Sequence, residues 1–175
     1  MRSSRGCTLL FALTVVFIFA AGCQEPVTTS VPGPLEGAWS VVEIDVVSAK
    51  GEARYPDPAP GLFIFGEKYY SMVWMPLTEV PSDFEEIWKP TDDEKAAAFS
   101  SIIVNAGTYT YTDSTVTTIP MVAKTPEFIG GVAVYSYSID ADTLHIEMTD
   151  AVSSTGVQDP GIGVFSMPLK LVRVE

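Results

Sequence analysis

Apolar and polar residues alternate along short runs through most of the chain, and glycine, proline and aspartate cut the runs apart. A period of two marks strands with one buried face. Residues 35–47, L-E-G-A-W-S-V-V-E-I-D-V-V, open the series. They carry two phases: Trp39, Val41, Glu43 and Asp45 share one face, while Val42, Ile44 and Val46 share the other. A β-bulge near Val41 and Val42 collects the apolar set on the inner face and turns the two acids outward. A strand covered on both sides is the alternative. Residues 62–65 and 69–75 make two further strands about Gly66-Glu67-Lys68, with Tyr70, Met72 and Trp74 on the inner face. The proline-rich residues 55–61 and residues 76–90, which hold Trp88, read as loops.

One segment leaves the two-residue rhythm. Thr91-Asp92-Asp93-Glu94 is a capping box, and its acids suit the positive end of a helix dipole. Ala96, Phe99, Ile102 and Ile103 follow at helical spacing, and Gly107 is the expected stop. The stripe predicts a helix packed on the sheet, with a moving lid as the alternative. Strands then resume over residues 108–112, 115–122, 132–139, 143–149 and 164–174. Their inner faces present Tyr109 and Tyr111, then Tyr135 and Tyr137, then Leu144, Ile146 and Met148. The last strand presents Leu169, Leu171 and Arg173. The expected fold is all-β: an eight-stranded up-and-down antiparallel β-barrel, with one helix inserted between strands 3 and 4. Closing eight strands removes the exposed edges, and the interior holds either side chains alone or one small ligand.

Composition agrees with a single β domain behind an export segment. The chain has 175 residues, 47% hydrophobic and 18% charged, with 13 Gly and 13 Pro. Arg2 and Arg5 precede an apolar run over residues 8–21, too short for a comfortable membrane span, which reads with residues 1–22 as a signal peptide. The net charge of −12 repels phosphate backbones and argues against nucleic acid as a partner. Of the two cysteines, Cys7 falls in the segment to be removed, so no internal disulfide is expected. Residues 24–34 are rich in proline and threonine and read as an extended tether.

Two resemblances add to this reading. Ala20-Ala21-Gly22-Cys23 resembles a bacterial lipobox, with Ala20 where leucine is more usual. The resemblance implies a lipidated Cys23, anchorage to a membrane of the cell envelope, and, with Gln24 next, the outer membrane facing the periplasm. Ordinary cleavage with a free Cys23 is the alternative. The domain over residues 35–175 resembles the bacterial lipocalin-like domain family through G-A-W, P-G-L-F-I-F-G-E-K-Y-Y-S, D-E-K-A-A-A-F, N-A-G-T-Y-T-Y and L-K-L-V-R-V-E. That implies a lipocalin-type barrel. It also implies closure of one barrel end by Trp39 from the first strand against Arg173 from the last. A guanidinium over an indole face stabilises by about 0.5–2 kcal/mol.

The candidate ligand-binding residues are the inward aromatics and methionines. They are Tyr70, Met72 and Trp74, then Tyr109 and Tyr111, and then Tyr135, Tyr137 and Met148. An apolar lining with hydroxyl tips suits a small hydrophobic or amphipathic molecule. The competing reading is a filled barrel whose outer surface meets an envelope partner. His145, the only histidine, shares an outward face with Glu147 and lacks the partners of a catalytic triad or a zinc site. No metal, no cofactor and no catalytic residue is expected. Asp140 and Asp142 read as a turn, and the pattern carries no signal for oligomer formation.

Overall fold

The computed structural model describes residues 32–76 and 79–174. The signal segment, Cys23 and most of the tether lie outside the described residues. Among the described residues the chain runs β1 (Gly37–Ser48), β2 (Gly51–Pro56), β3 (Gly61–Phe65), β4 (Tyr69–Trp74) and α1 (Asp92–Ser100). It continues with β5 (Ile103–Tyr111), β6 (Thr115–Ala123), β7 (Val132–Asp140), β8 (Thr143–Val152), β9 (Phe165–Ser166) and β10 (Leu169–Arg173).

The sheet closes on β1. Its first half pairs with β3 along one edge and with β10 along the other, and the meander β3-β4-β5-β6-β7-β8-β10 supplies the rest of the ring. The result is a closed eight-stranded antiparallel barrel with one helix. The second half of β1 runs beyond the ring and pairs with β2 and β9.

Three bulges shift which side chains face the interior. In β1 the extra residue is Val42, between the pairs Val41–Leu171 and Glu43–Lys170. The buried set therefore steps from Trp39 and Val41 to Ile44, while Glu43 and Asp45 turn out to meet Arg54. In β6 the extra residue is Met121, which leaves both Met121 and Val122 exposed. In β8 it is Thr149, and burial resumes at Ala151. A bulge adds one residue to one strand and so reverses the inside–outside phase beyond it.

Sequence and structure part at three elements. The helix follows β4 and not the third strand, because Gly51–Pro56 forms a strand that was not expected and whose last two residues fall in the expected loop. All six residues of β2 are exposed; it holds its place through the ladder to β1 and the bidentate pair of Arg54 with Asp45 at 2.8 and 3.0 Å. The helix has its full capping box, with Thr91 N–H donating to Glu94 Oε2 at 2.7 Å, yet it buries no residue and ends at Ser100. The run Ile102-Ile103-Val104 is β-branched and enters β5, where such residues are favoured. Phe99 is thus exposed and lies under the Lys124 ammonium, 4.9 Å from the ring centre. Finally, the expected last strand is two short ones. It breaks at Met167-Pro168, where the chain passes from the far half of β1 to its near half.

Gly107 occupies the inner side of β5 where β6 bulges. A Cβ there would lie 2.1 Å from the Ile119 carbonyl oxygen, so the two backbones touch and only glycine fits. We expect Gly107→Ala to lower stability by roughly 1–3 kcal/mol, the usual cost of overpacking. An unchanged denaturation midpoint would contradict this account of the β5–β6 contact.

Candidate functional site

The two ends of the barrel differ. At one, the Arg173 guanidinium lies 4.0 Å from the Trp39 ring centre, with the two residues directly paired across β1 and β10. Arg173 Nη1 donates to the Glu36 carbonyl at 2.6 Å and Nη2 to the Pro34 carbonyl at 3.0 Å. Trp39 Nε1 donates to the Leu35 carbonyl at 2.8 Å. These bonds draw residues 34–36 across the barrel mouth and hold Leu35, fully buried, beneath them.

The side chains behind this plug pack against one another. Phe65 meets Tyr109 edge to face at 5.2 Å between ring centres. The Tyr109 hydroxyl donates to the Gly66 carbonyl and the Tyr137 hydroxyl to the Thr112 carbonyl, each at 2.7 Å. Both phenols thereby serve the hairpin turns at this end. Tyr70 is buried, and its hydroxyl, though near Thr118, makes no hydrogen bond of normal geometry.

The other end holds a cavity of about 320 Å³. Its walls come from β3, β4, β5, β7, β8 and β10, and its rim from residues 123–125, Phe128, Asp159, residues 161–162 and residues 165–167. Ligand sites begin at about 300 Å³. Of the residues expected to line a site, Met72, Trp74, Tyr135 and Met148 do so. Tyr70, Tyr109 and Tyr137 are buried outside the cavity, in the filled half. Tyr111 is corrected: it is 43% exposed and stacks on Tyr109 with ring centres 6.1 Å apart. It shares the inward phase of Tyr109, but it is the last residue of β5, beyond the end of the packed interior.

The sequence reading missed Phe63, Ile103 and Asn105 in the cavity wall. Ile103 and Asn105 lay inside the expected helix. Starting the strand at Ile103 would have placed residues 103, 105, 107 and 109 on one inner face, which was the available signal. Asn105 is 5% exposed, and its buried Oδ1 accepts no hydrogen bond among the described residues.

Charge is confined to the rim. Lys124 Nζ donates to the Phe99 carbonyl at 3.0 Å, and an Asp159 carboxylate oxygen accepts from the Gly161 N–H at 2.7 Å. His145 is exposed on the outer wall, paired with Ser138 and Lys170. Glu43 and Asp45 lie outside with Arg54.

A mostly apolar cavity in one end of a closed eight-stranded barrel is a lipocalin-type arrangement. The lipocalin-like domain model matches residues 36–159. The chain belongs to the lipocalin-like domain family. Comparison with curated proteins and with solved structures gives no match. The cavity of this lipocalin-like domain is mostly apolar, and its polar lining comprises Asn105, Tyr135, Thr125 and Ser166 with the charged Lys124 and Asp159.

The buried phenols of this lipocalin-like domain set its alkaline limit. Burial raises Tyr70 to about 12 against the opposing Thr118 hydroxyl. Burial, then the charges of Glu36, Tyr111 and Tyr137, raise Tyr109 to about 12. Burial also raises Tyr135 and Tyr137. Unfolded tyrosine loses its proton near 10.0, whereas the folded chain keeps these protons to higher pH. Between the two values the folded state binds more protons, so stability is full below pH 10 and falls as pH rises towards 12. Denaturation midpoints measured across that window should drop, with phenolate absorbance rising together with unfolding. Early ionisation of all tyrosines in a folded chain would contradict it.

Proposed function

We propose that this protein is a membrane-anchored binding module of the cell envelope that holds one small hydrophobic or amphipathic molecule in the open half of its barrel. The observation that carries the reading is the cavity of about 320 Å³ with mostly apolar walls and few polar groups. Such a site gains affinity by removing apolar surface from water and orients its ligand through the few polar groups. The anchor is supported by the lipobox-like residues 20–23 and the proline-rich tether after them. Lipid on Cys23 would hold the barrel close to the outer membrane, with its cavity open to the periplasm. The reading is one of binding and not of catalysis, since Lys124 and Asp159 at the rim are tied to backbone groups.

Native mass spectrometry of the full chain, purified from its own membrane, tests both halves. We expect acyl mass on Cys23 and a bound molecule small enough for the cavity. Cys23→Ala should release the chain from the membrane, and Met148→Trp, which fills the cavity, should remove the bound mass. A chain that carries no small molecule, and whose uptake of the neutral dye N-phenyl-1-naphthylamine is the same with and without Met148→Trp, would overturn the binding reading.

One observation favours a second reading, a partner-binding envelope protein. The outer wall over β3 to β6 carries Leu62 paired with Val73 and that with Val104. Beside this row runs Ile64-Ser71-Ala106-Val122, and neither row contains a charge. Leu62, Ile64 and Val122 are 42%, 46% and 62% exposed in a chain of net charge −12. Contiguous exposed apolar surface commonly marks an interface. On this reading Ile64→Glu with Val122→Glu abolishes cross-linking to envelope proteins and spares dye uptake; an unchanged cross-linking pattern removes it.

A further inference from the structure

The outer wall over β3 to β6 extends further than the two rows that hold Leu62 and Ile64. A third row, Tyr69-Thr108-Ile119, lies beside them, and at β1 the first two continue to Ser40 and Ala38. Outward side chains of neighbouring strands stand next to one another on the pleat, so the rows form one surface. Among the described residues the three rows contain no charged side chain, across five strands of a chain with net charge −12. Area bounds what covers it. Tyr69, Met121 and Val122 are 61%, 61% and 62% exposed, and Leu62, Ile64 and Ile119 are 42%, 46% and 46% exposed. At about 200 Å² for a whole large side chain, these six leave roughly 600 Å² open to water. That is the upper end of the patch of about 300–600 Å² that a lone chain carries. With the half-buried Val73, Val104 and Thr108 between them, the wall approaches the ~800 Å² per partner that a stable complex covers.

Composition narrows the partner. Surfaces where unlike chains meet and part are about as polar as the rest of a protein, whereas contacts between copies are more apolar and depleted of charge. The wall is of the second kind. It offers no charge to select a partner of opposite sign, and such a partner is drawn instead to the acidic remainder of the chain. Two copies repel each other through that remainder. Wall against wall, they meet without bringing carboxylates face to face and without burying an unpaired charge.

We propose that the protein is a two-fold symmetric dimer in which the β3–β6 wall of one chain packs face to face on the same wall of a second copy. A two-fold contact needs only one self-complementary surface. The two sheets stack about 10 Å apart, with their outward apolar side chains interdigitated as in a β-sandwich. The inference rests on the reading of this wall as an interface and names its occupant; it is independent of what the cavity holds.

Photo-cross-linking of the full chain in its own membrane tests it. The probe is Ile64→p-benzoylphenylalanine on the wall, and the control is Ser138→p-benzoylphenylalanine, at an exposed position of β7. We expect the Ile64 probe to give an adduct of twice the chain's mass, with both joined peptides from this protein, and the Ser138 probe to give none. Native mass spectrometry of the unmodified chain at micromolar concentration, which needs no variant, should likewise show twice the mass of one chain. Ile64→Glu with Val122→Glu should return it to the mass of one chain. A single-chain mass for the unmodified protein, or equal double-mass adducts from both probes, would overturn the dimer. Adducts of the Ile64 probe with a different protein would keep the wall as an interface and overturn its assignment to a second copy. Adducts with lipid alone, or no adduct, would overturn both.

Discussion

Everything in this domain depends on β1 having both of its edges occupied. A sheet of this size, left open, would expose two rows of unpaired backbone groups. Here the near half of β1 takes β3 on one side and β10 on the other, so the first and last strands of the barrel meet. The bulge at Val42 makes this compatible with burial, because it moves Ile44 inside without breaking either ladder. Arg173 and Trp39 stand at the seam between first and last strands. Through the Glu36 and Pro34 carbonyls, Arg173 also draws the entering chain over the barrel end. One side chain thus joins the two ends of the domain, residues 34–39 and the last strand.

That plug divides the interior. On its side, large aromatic side chains fill the barrel, and the Tyr109 and Tyr137 hydroxyls satisfy backbone carbonyls of the turns. On the far side a cavity of about 320 Å³ remains between the inner faces of the strands, with Ala123 among its lining residues. Packing in the filled half supplies stability, with each fully buried large side chain contributing about 1.5–3 kcal/mol. The open half is then free to carry a cavity.

Charge is segregated as sharply as volume. Among the described residues every acidic side chain is exposed or half-buried, and of the residues that line the cavity only Lys124 and Asp159 are charged. Ionised side chains stay where water or a partner can solvate them. The interior is mostly apolar, and its polar atoms are chiefly the phenols of Tyr70, Tyr109, Tyr135 and Tyr137, the Thr118 hydroxyl and the Asn105 amide.

The residues alone determined much that follows from local periodicity. Alternation put Tyr70, Met72 and Trp74 on one face of β4, and the capping box marked the start of the helix, because both signals arise between residues close in sequence. Met72, Trp74, Tyr135 and Met148 were within reach of the same logic, since the cavity walls are strands. Other features were decided only by the assembled barrel. β2 exists because the far half of β1 offers it an edge; the Ile102-Ile103-Val104 run became strand because β4 was there to pair with it. The retreat of Tyr111 to the surface, the division into filled and open halves and the place of Asn105 all depend on which side chains from eight strands meet at one level. That sum of volumes forms across the sheet, between residues far apart in sequence, and no single stretch of the chain contains it.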